Sequence, residues 1–203
     1  MQGGVRSRPP VVGGAACTPE VDVAELVAQA KLGDTAAFTY LYRRYVARVY
    51  DYAAWRLQNR HVAEEVTQEV FLRAFRGITG CREGASFGGW LLGIARFVIA
   101  DQYRASPPGT VALDESLERE DPEPLPEEQA LEAERHNELR AAREHCLSPS
   151  ERELFDLLLA DLTDREIAVA LGRGYGAVRT AHWRLLTKLR ACFAHLRGRY
   201  VAS

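Results

Sequence analysis

The sequence predicts an all-α protein with two small helical domains joined by a flexible linker, and three observations lead to this prediction. Apolar residues recur at helical spacing in both halves, and the strict alternation typical of strands is absent. Proline is missing from 20–106 and 150–203, whereas one proline inside a helix costs about 3 kcal/mol. Between them, 105–128 holds five of the nine prolines and many acidic residues, a composition that predicts a linker.

Composition and charge exclude several other classes of protein. The 203 residues are 47% hydrophobic and 27% charged, which argues against a disordered chain or a disulfide-rich miniprotein. The formal net charge is −2, yet 105–140 alone carries eleven acidic and three basic residues between two mildly basic blocks. We find no run of about 18 apolar residues and no apolar stretch after Arg6 and Arg8. We therefore expect no membrane helix and no signal peptide, and a cytoplasmic protein.

Four segments follow from these shifts in composition. Residues 1–20 hold four glycines and three prolines without periodicity, and we expect a disordered leader there. An N-terminal helical domain is expected over 21–104, the acidic linker over 105–128, and a C-terminal domain over 129–203. The proline-free stretch 127–146 is expected to become the first helix of the second domain.

Three apolar stripes at helical spacing predict the helices of the N-terminal domain. Their members are Phe38, Leu41, Tyr42, Tyr45, Val49 and Tyr52; Val62, Val66, Val70, Phe71, Ala74 and Phe75; and Trp90, Leu91, Ile94, Ala95 and Val98. Between the second and third stripes, 77–89 holds five glycines in thirteen residues. That density predicts an adaptable loop whose backbone can approach a ligand closely.

The C-terminal domain contains the pattern of a helix-turn-helix. Thr163 and Glu166 form a capping-box pair ahead of an apolar helical stretch, and Gly172 supplies a left-handed turn. A second helix is expected from about 176 to 195. Residues 173–199 contain seven lysines and arginines and no acid.

The second helix of this motif is amphipathic. Arg179, Arg184 and Lys188 lie about a turn apart, opposite the apolar residues of the same helix. Such a basic face suits phosphates and guanine edges in a major groove. A solvated basic surface helix in a bundle is the alternative interpretation of the helix taken alone.

Catalytic and metal chemistry find little support in the sequence. Cys17, Cys81, Cys146 and Cys192 lie too far apart for a local metal knuckle or a CxxC pair, so we expect intracellular thiols without a metal or a cofactor. No carboxylate pair, nucleophile–histidine pair or phosphate loop stands out, and we do not expect an enzyme.

Three segments carry a family resemblance. Residues 63–72 read AEEVTQEVFL, residues 90–104 read WLLGIARFVIADQYR, and residues 171–190 read LGRGYGAVRTAHWRLLTKLR. In this order they resemble the polymerase-binding helix, the promoter-melting helix and the minus-thirty-five recognition motif of the extracytoplasmic-function (ECF) sigma factors. These proteins are initiation factors of bacterial RNA polymerase. The resemblance implies that 21–104 is sigma domain 2 and 129–203 is sigma domain 4.

The resemblance also implies roles for individual residues. The coiled coil of the polymerase's largest subunit would be contacted by Glu65, Gln68, Glu69 and Phe71. The minus-ten element would be received by Arg82, Ser86, Phe87, Trp90, Arg96 and Arg104. The minus-thirty-five element would be read by Arg179, Thr180, Trp183, Arg184 and Lys188. Phe97 and Ala181 stand where the family usually has Asn and Arg.

The implied function is promoter recognition on behalf of the polymerase. A sigma factor binds core RNA polymerase at the largest-subunit coiled coil and the flap region, directs it to specific promoters and promotes DNA melting. Core polymerase and promoter DNA are thus the expected partners, and an anti-sigma factor is left open as a third. The alternative is a stand-alone helix-turn-helix regulator with 21–104 as a sensor or dimerisation domain. A sensor domain has no need for a polymerase-binding helix followed by a melting helix.

Overall fold

The computed structural model describes residues 22–82, 86–105 and 127–201, with the side chains of 127–130, 132–133 and 195–201 left aside. Within these ranges every regular element is helical, which confirms the all-α prediction. The predicted leader and most of the predicted linker lie outside the described residues.

Eight α-helices and one 3-10 turn follow one another in the described part of the chain. They are α1 (Val23–Lys31), α2 (Thr35–Leu57), α3 (Arg60–Gly77), the 3-10 turn Ile78–Gly80, α4 (Phe87–Ala105), α5 (Glu127–Cys146), α6 (Pro149–Leu159), α7 (Asp164–Leu171) and α8 (Tyr175–Val201). None of the described helices is long and apolar enough to cross a membrane.

Short polar side chains set where the N-terminal helices begin. Asp22, Asp34 and Asn59 precede α1, α2 and α3, and each accepts a hydrogen bond from a backbone amide in the first turn of its helix. These amides have no partner within the helix, so the caps stabilise each start by roughly 1 kcal/mol. Residue Gln58 adopts the left-handed conformation with φ 55° and ends α2.

The predicted apolar stripes lie on α2, α3 and α4 and contribute to the core there. Leu41, Val49 and Val70 are fully buried. Each of the first two stripes also has an exposed member, because Tyr42 and Phe75 lie at the edge of their helix faces. A stripe predicted from residue spacing alone therefore includes more residues than are buried.

The helix-turn-helix is present in α7 and α8. Thr163 and Glu166 form the predicted capping box, with both the side chain and the amide of Thr163 donating to the Glu166 carboxylate at 2.9 Å. Gly172 has φ 62°, in the left-handed region that an L side chain rarely adopts. Val178 and Leu185 of α8 are buried, and the turn holds them over the core.

The predicted glycine-rich loop is shorter than expected. α3 continues to Gly77, a 3-10 turn follows at once, and α4 begins at Phe87. Gly88 and Gly89 are therefore helical and buried, and their backbone approaches α7 rather than a ligand. The density of glycine predicted a close approach of the backbone to a ligand. In the structure, the close approach is between two helices.

One of the cysteine predictions is wrong. Cys146 and Cys192 are joined by a disulfide with a Cα–Cα distance of 6.3 Å, so they are not plain thiols. The bond connects the end of α5 to α8 across a sequence separation of 46 residues. Local spacing could not indicate it, because the two cysteines meet only when the C-terminal helices pack.

The N-terminal and C-terminal helices pack directly on each other, through α4 against α7 and α2 against α6. Asp156 of α6 is buried between them. Its carboxylate accepts from the indole of Trp55 at 2.7 Å and from Arg143 at 2.7 and 2.8 Å, and it lies 3.4 Å from Arg56. The hydrogen bond to Asp156 raises the pKa of the Arg143 guanidinium. The division into two domains stays a prediction.

The disulfide should stabilise the C-terminal helices. Closing a long loop reduces the entropy of the unfolded chain, and we expect reduction to lower the free energy of unfolding by about 2–4 kcal/mol. Thermal unfolding with and without reductant measures this as a lower midpoint for reduced protein. The variant Cys146→Ser supplies the control, because reductant should leave its midpoint unchanged. Equal midpoints for oxidised and reduced wild-type protein would contradict the expected stabilisation.

Candidate functional site

The outward face of α3 carries acidic and amide groups. Glu65 and Gln68 are exposed, and Glu69 is half-buried on the same side of the helix. Glu69 accepts a hydrogen bond from Arg73 at 2.6 Å, and Arg73 reaches Asp101 of α4 at 3.3 Å. Glu65 and Gln68 therefore stand open to a partner, while Glu69 is partly neutralised within the chain.

Apolar side chains extend this face. Phe71, the apolar residue that was predicted to contact the polymerase, is not one of them. Phe71 is buried and packs edge-on against Tyr42, with ring centroids 4.7 Å apart. Leu72 and Phe75 are the exposed ones, at 43% and 50% of their surface. They follow the exposed Glu65 and Gln68 by seven residues each, which is two helical turns. That spacing was the signal that could have identified them.

Most of the aromatic and hydroxyl groups assigned to the minus-ten element lie inside the protein. Ser86 and Phe87 are buried, and the ring of Phe87 packs on Tyr45 at 5.1 Å and on Trp90 at 5.7 Å. Trp90 itself is half-buried. These residues pack at the start of α4, so the side chains of this region that are exposed to solvent are other ones.

The basic residues assigned to the minus-ten element differ in their exposure and in their hydrogen-bond partners. Arg82 and Arg104 are exposed, and Arg104 donates to Asp101. The hydrogen bonds from Arg104 and then Arg73 lower the pKa of Asp101. Phe97, at the position where the family usually has Asn, is 65% exposed near the middle of α4.

Arg96 is held by the C-terminal helices. One terminal nitrogen donates to the carbonyl of Ala170 at 2.6 Å, and the other donates to Glu153 at 2.7 Å. The remaining nitrogen, Nε, is buried and has no partner among the described atoms. The structure thus brings Arg96 to α6 and α7 instead of to solvent.

The recognition face of α8 is open. Arg179, Thr180, Trp183 and Arg184 are all exposed, and Trp183 shows 69% of its surface. Arg179, Thr180 and Trp183 line one shallow depression on the surface. The opposite face of α8 is buried through Val178, Leu185 and Leu189. Exposed cations beside an exposed indole make a surface that can contact phosphates and base edges.

Two polar contacts orient this helix. His182 Nδ1 lies 2.7 Å from Asp164, at the first turn of α7, and connects the two helices of the motif. Lys188 donates to Glu151 of α6 at 2.7 Å. Lys188 is therefore already paired with an acid, whereas Arg179 and Arg184 form no ion pair with any residue in the described part of the chain. Sequence reasoning did not single out Glu151 and His182, because neither contact is local in sequence.

Comparison with known proteins gives a consistent family. Residues 41–106 match the family model described as Sigma-70 region 2. The chain is 36% identical over 168 residues to the ECF RNA polymerase sigma factor BldN of Streptomyces coelicolor, which is 81% of this chain and 63% of BldN. It therefore spans less than two thirds of the length of that relative. It is also 36% identical over 141 residues to the ECF RNA polymerase sigma factor ShbA of Streptomyces griseus, which is 65% of this chain and 72% of ShbA.

The fold also has a solved counterpart. CnrH, in its complex with the cytosolic domain of CnrY, superimposes with a TM-score of 0.61 at 22% sequence identity. The match covers 86% of this chain and 98% of that chain. The likeness supports the arrangement of helices.

The Glu151–Lys188 pair should make stability depend on pH. The hydrogen bond from Lys188, followed by that from the Ser148 amide, lowers the pKa of Glu151 from 4.5 to about 2. Because this folded-state pKa is the lower one, the carboxylate stabilises the fold above about pH 4.5, and that stabilisation is lost as the pH falls towards 2. We expect Glu151→Gln to reduce the free energy of unfolding by about 1 kcal/mol at pH 7.

Urea unfolding of wild-type protein and Glu151→Gln at pH 7, 5 and 3 checks this expectation. The difference between the two proteins should shrink at the lowest pH. Glu65→Gln is the matched control, since Glu65 is exposed on α3 and forms no ion pair among the described residues. A difference that stays constant across the three pH values would contradict the assignment.

Proposed function

The chain belongs to the ECF family of RNA polymerase sigma factors, and on that basis we propose that it binds core RNA polymerase, directs it to specific promoters and promotes DNA melting. The observation that supports this most is the pairing, in one chain, of an acidic face on α3 with a separate basic and aromatic face on α8. A polymerase-bound specificity factor needs both. Family membership favours this function over that of a stand-alone regulator, and we propose a cytoplasmic protein that acts by binding rather than by catalysis.

The face on α3 suits a partner helix rich in arginine. Its carboxylates and amide can accept charge-assisted hydrogen bonds from guanidinium groups. The neighbouring Leu72 and Phe75 offer apolar surface that becomes buried in a complex. We propose that Glu65, Gln68 and Glu69 contact the coiled coil of the polymerase's largest subunit, with Leu72 and Phe75 beside them. The contribution of Phe71 is to hold α3 in place from the core.

The face on α8 suits the major groove of duplex DNA. Arg179 and Arg184 are five residues apart, about 7.5 Å along the helix axis and about 140° around it. One can meet a base edge while the other meets a neighbouring phosphate or base. We propose that Arg179, Thr180, Trp183 and Arg184 read the minus-thirty-five element, with Lys188 in a minor role because Glu151 already pairs it. The flap region of the polymerase would position the C-terminal helices.

The minus-ten element is assigned to α4 and to the segment before it. Arg82, Phe97 and Arg104 are exposed there and can meet displaced phosphates and unstacked bases. Arg96 belongs to the same helix but is engaged by Ala170 and Glu153. An anti-sigma factor stays open as a third partner.

The α3 surface yields a test of polymerase binding. Replacing Gln68 with Ala and Glu69 with Lys should weaken binding to core RNA polymerase by about tenfold or more, because breaking a hydrogen-bonded charge pair at an interface leaves the partner's charge unpaired. Helix content and the unfolding midpoint should change little, since Gln68 is exposed and Glu69 loses only a partly exposed ion pair with Arg73. Affinity is measured by fluorescence polarisation of labelled protein titrated with core polymerase.

The matched control is Glu25→Lys, which reverses an exposed acid on α1 of the same group of helices. It should bind core polymerase as wild-type protein does. Wild-type affinity in the Gln68→Ala, Glu69→Lys variant would refute the assignment of α3. Equal loss in both proteins would mean that net charge, rather than this face, governs binding.

The α8 surface yields a test of promoter reading. If Arg179 contacts a base, Arg179→Ala should flatten preference at one minus-thirty-five position, where an arginine–guanine contact discriminates by about 1–3 kcal/mol. Arg184→Ala, as a phosphate contact, should weaken all promoters alike and lower the slope of affinity against salt by about one. Transcription by the polymerase complex from a library of randomised minus-thirty-five elements, at two salt concentrations, measures both.

Arg60→Ala is the control for loss of one exposed cation, since Arg60 lies at the start of α3, outside the C-terminal helices. Its promoter profile should match that of wild-type protein. An unchanged profile in both α8 variants would mean that this helix does not face DNA.

A further inference from the structure

The disulfide between Cys146 and Cys192 lies in the group of helices that carries the recognition face of α8. Its Cα–Cα distance of 6.3 Å falls within the range in which two cysteines can be bridged without movement of the backbone. Cys192 is buried in α8, whereas Cys146 at the end of α5 is partly exposed. A small reagent in solution therefore meets the bond at Cys146 rather than at Cys192.

This bond is the strongest tie between the second half of α8 and the other helices. In that half, Leu189 is buried and Lys188 donates to Glu151 of α6 at 2.7 Å. Both members of the ion pair are partly exposed, and such pairs stabilise a protein much less than a disulfide does. Reduction of the bond therefore leaves the second half of α8 only weakly held.

The other end of α8 follows a turn that contains glycine. Gly172 is in the left-handed conformation, and a Cβ added to Gly172 or Gly174 would meet nothing within 4 Å. The turn is thus loosely packed and tolerates a change in the direction of α8. Arg184 lies eight residues before Cys192, about 12 Å along the helix axis. Because the recognition residues lie between this turn and the disulfide, the bond sets the direction in which they point.

The position of Cys146 does not depend on the bond. Arg152 of α6 donates to the carbonyl of Leu147 at 3.0 Å and to the carbonyl of Glu144 at 2.7 Å, on either side of Cys146. These hydrogen bonds involve neither sulfur, so they hold the end of α5 in place when the disulfide is reduced. The two thiols can then meet again, and the bond is suited to repeated cleavage and formation.

We infer that Cys146 and Cys192 form a redox-active site: oxidation by a low-molecular-weight disulfide fixes α8 on α5 and strengthens binding of the minus-thirty-five element, and reduction by a thiol reverses both. This inference rests on the proposed function, which places the chain in the cytoplasm and α8 on DNA. Thiol pools keep cytoplasmic cysteines reduced, so a bonded pair in that compartment is typically transient and redox-sensing.

The oxidation takes place in two exchange steps that balance in atoms and electrons. The Cys146 thiolate attacks one sulfur of the small disulfide, which releases one small thiolate and leaves a mixed disulfide on Cys146. The Cys192 thiolate then attacks the Cys146 sulfur, and the second small thiolate leaves. The two protein thiols have lost two electrons and two protons, and one small disulfide has become two thiols.

A redox titration tests the chemistry of the site in the full-length protein. Cys17, which lies outside the described residues, is replaced by Ser in every protein compared. The protein is equilibrated with glutathione and its disulfide over a wide range of ratios, and thiols are trapped by alkylation and identified by mass spectrometry. We expect Cys146 and Cys192 to change together and reversibly within this range. A pair that stays oxidised at the largest thiol excess, or reduced at the largest disulfide excess, would overturn the inference.

A binding measurement tests the effect on DNA. The oxidised and the reduced protein, each in complex with core polymerase, are titrated into a labelled pool of duplexes with a randomised minus-thirty-five element. We expect the reduced complex to bind about fivefold more weakly, if α8 is docked on α5 in about a fifth of the reduced molecules. Cys192→Ser should bind as reduced protein does, and the redox treatment should leave it unchanged. Equal binding by the oxidised and the reduced complex would overturn the inference.

The same coupling must be visible from the redox side, because linkage between two sites is reciprocal. With the duplex pool at saturation, the polymerase-bound protein should resist reduction more strongly. The squared thiol concentration divided by the disulfide concentration at half-oxidation should rise by the factor measured in the binding experiment. No shift of this quantity would contradict the coupling. Both measurements use the cycled parent protein, so they decide the case even if Cys192→Ser fails to fold.

Cys81 and core polymerase separate the possible failures. Cys81 is fully buried among the N-terminal helices, and it should stay protected from alkylation in both redox states. Labelling of Cys81 on reduction would mean that the whole chain unfolds, which would overturn a specific effect on α8. The oxidised and the reduced protein should bind core polymerase alike through α3. Loss of polymerase binding in both would count against the proposed function, whereas normal polymerase binding with equal DNA binding would count against the redox site alone.

Discussion

A buried carboxylate that must be paired is the constraint on which the relative placement of the helices depends. Asp156 is buried in α6, where an unpaired charge costs several kcal/mol. It draws Trp55 and Arg56 from α2 and Arg143 from α5 to the same point. Because two partners come from the N-terminal helices and one from the C-terminal helices, satisfying this single group also fixes how the two sets meet. The apolar contacts between them then form one continuous core.

That placement leaves two of the three candidate surfaces exposed and covers part of the third. The α3 face and the α8 face point to solvent, whereas α7 covers the side of α4 that carries Gly89 and Arg96. The proposed contacts with polymerase and with the minus-thirty-five element therefore use side chains that the structure leaves exposed. Arg96, in contrast, is already bonded within the chain.

Sequence alone predicted what is decided locally. The Thr163–Glu166 capping box, the left-handed Gly172 and the basic face of α8 each follow from residues within a few turns of one another, and the structure has the first two as predicted. It could not predict contacts made between distant segments. The disulfide between Cys146 and Cys192 and the packing of Gly88 and Gly89 depend on how the helix groups meet. The residue spacing also could not predict which members of a stripe are buried. Phe71 was predicted as a contact residue, but it is buried and its neighbour Leu72 is exposed.

Glycine and arginine contribute in different ways to the contact between α4 and α7. Glycine contributes only closeness, because a methyl group at 89 would meet the backbone of Glu166. Arg96 contributes hydrogen bonds to the Ala170 carbonyl and the Glu153 carboxylate. Removing its guanidinium would take a donor away from both acceptors, whereas a methyl group at 89 would push the two helices apart. The two residues therefore stabilise the same packing by separate physical means, one steric and one electrostatic.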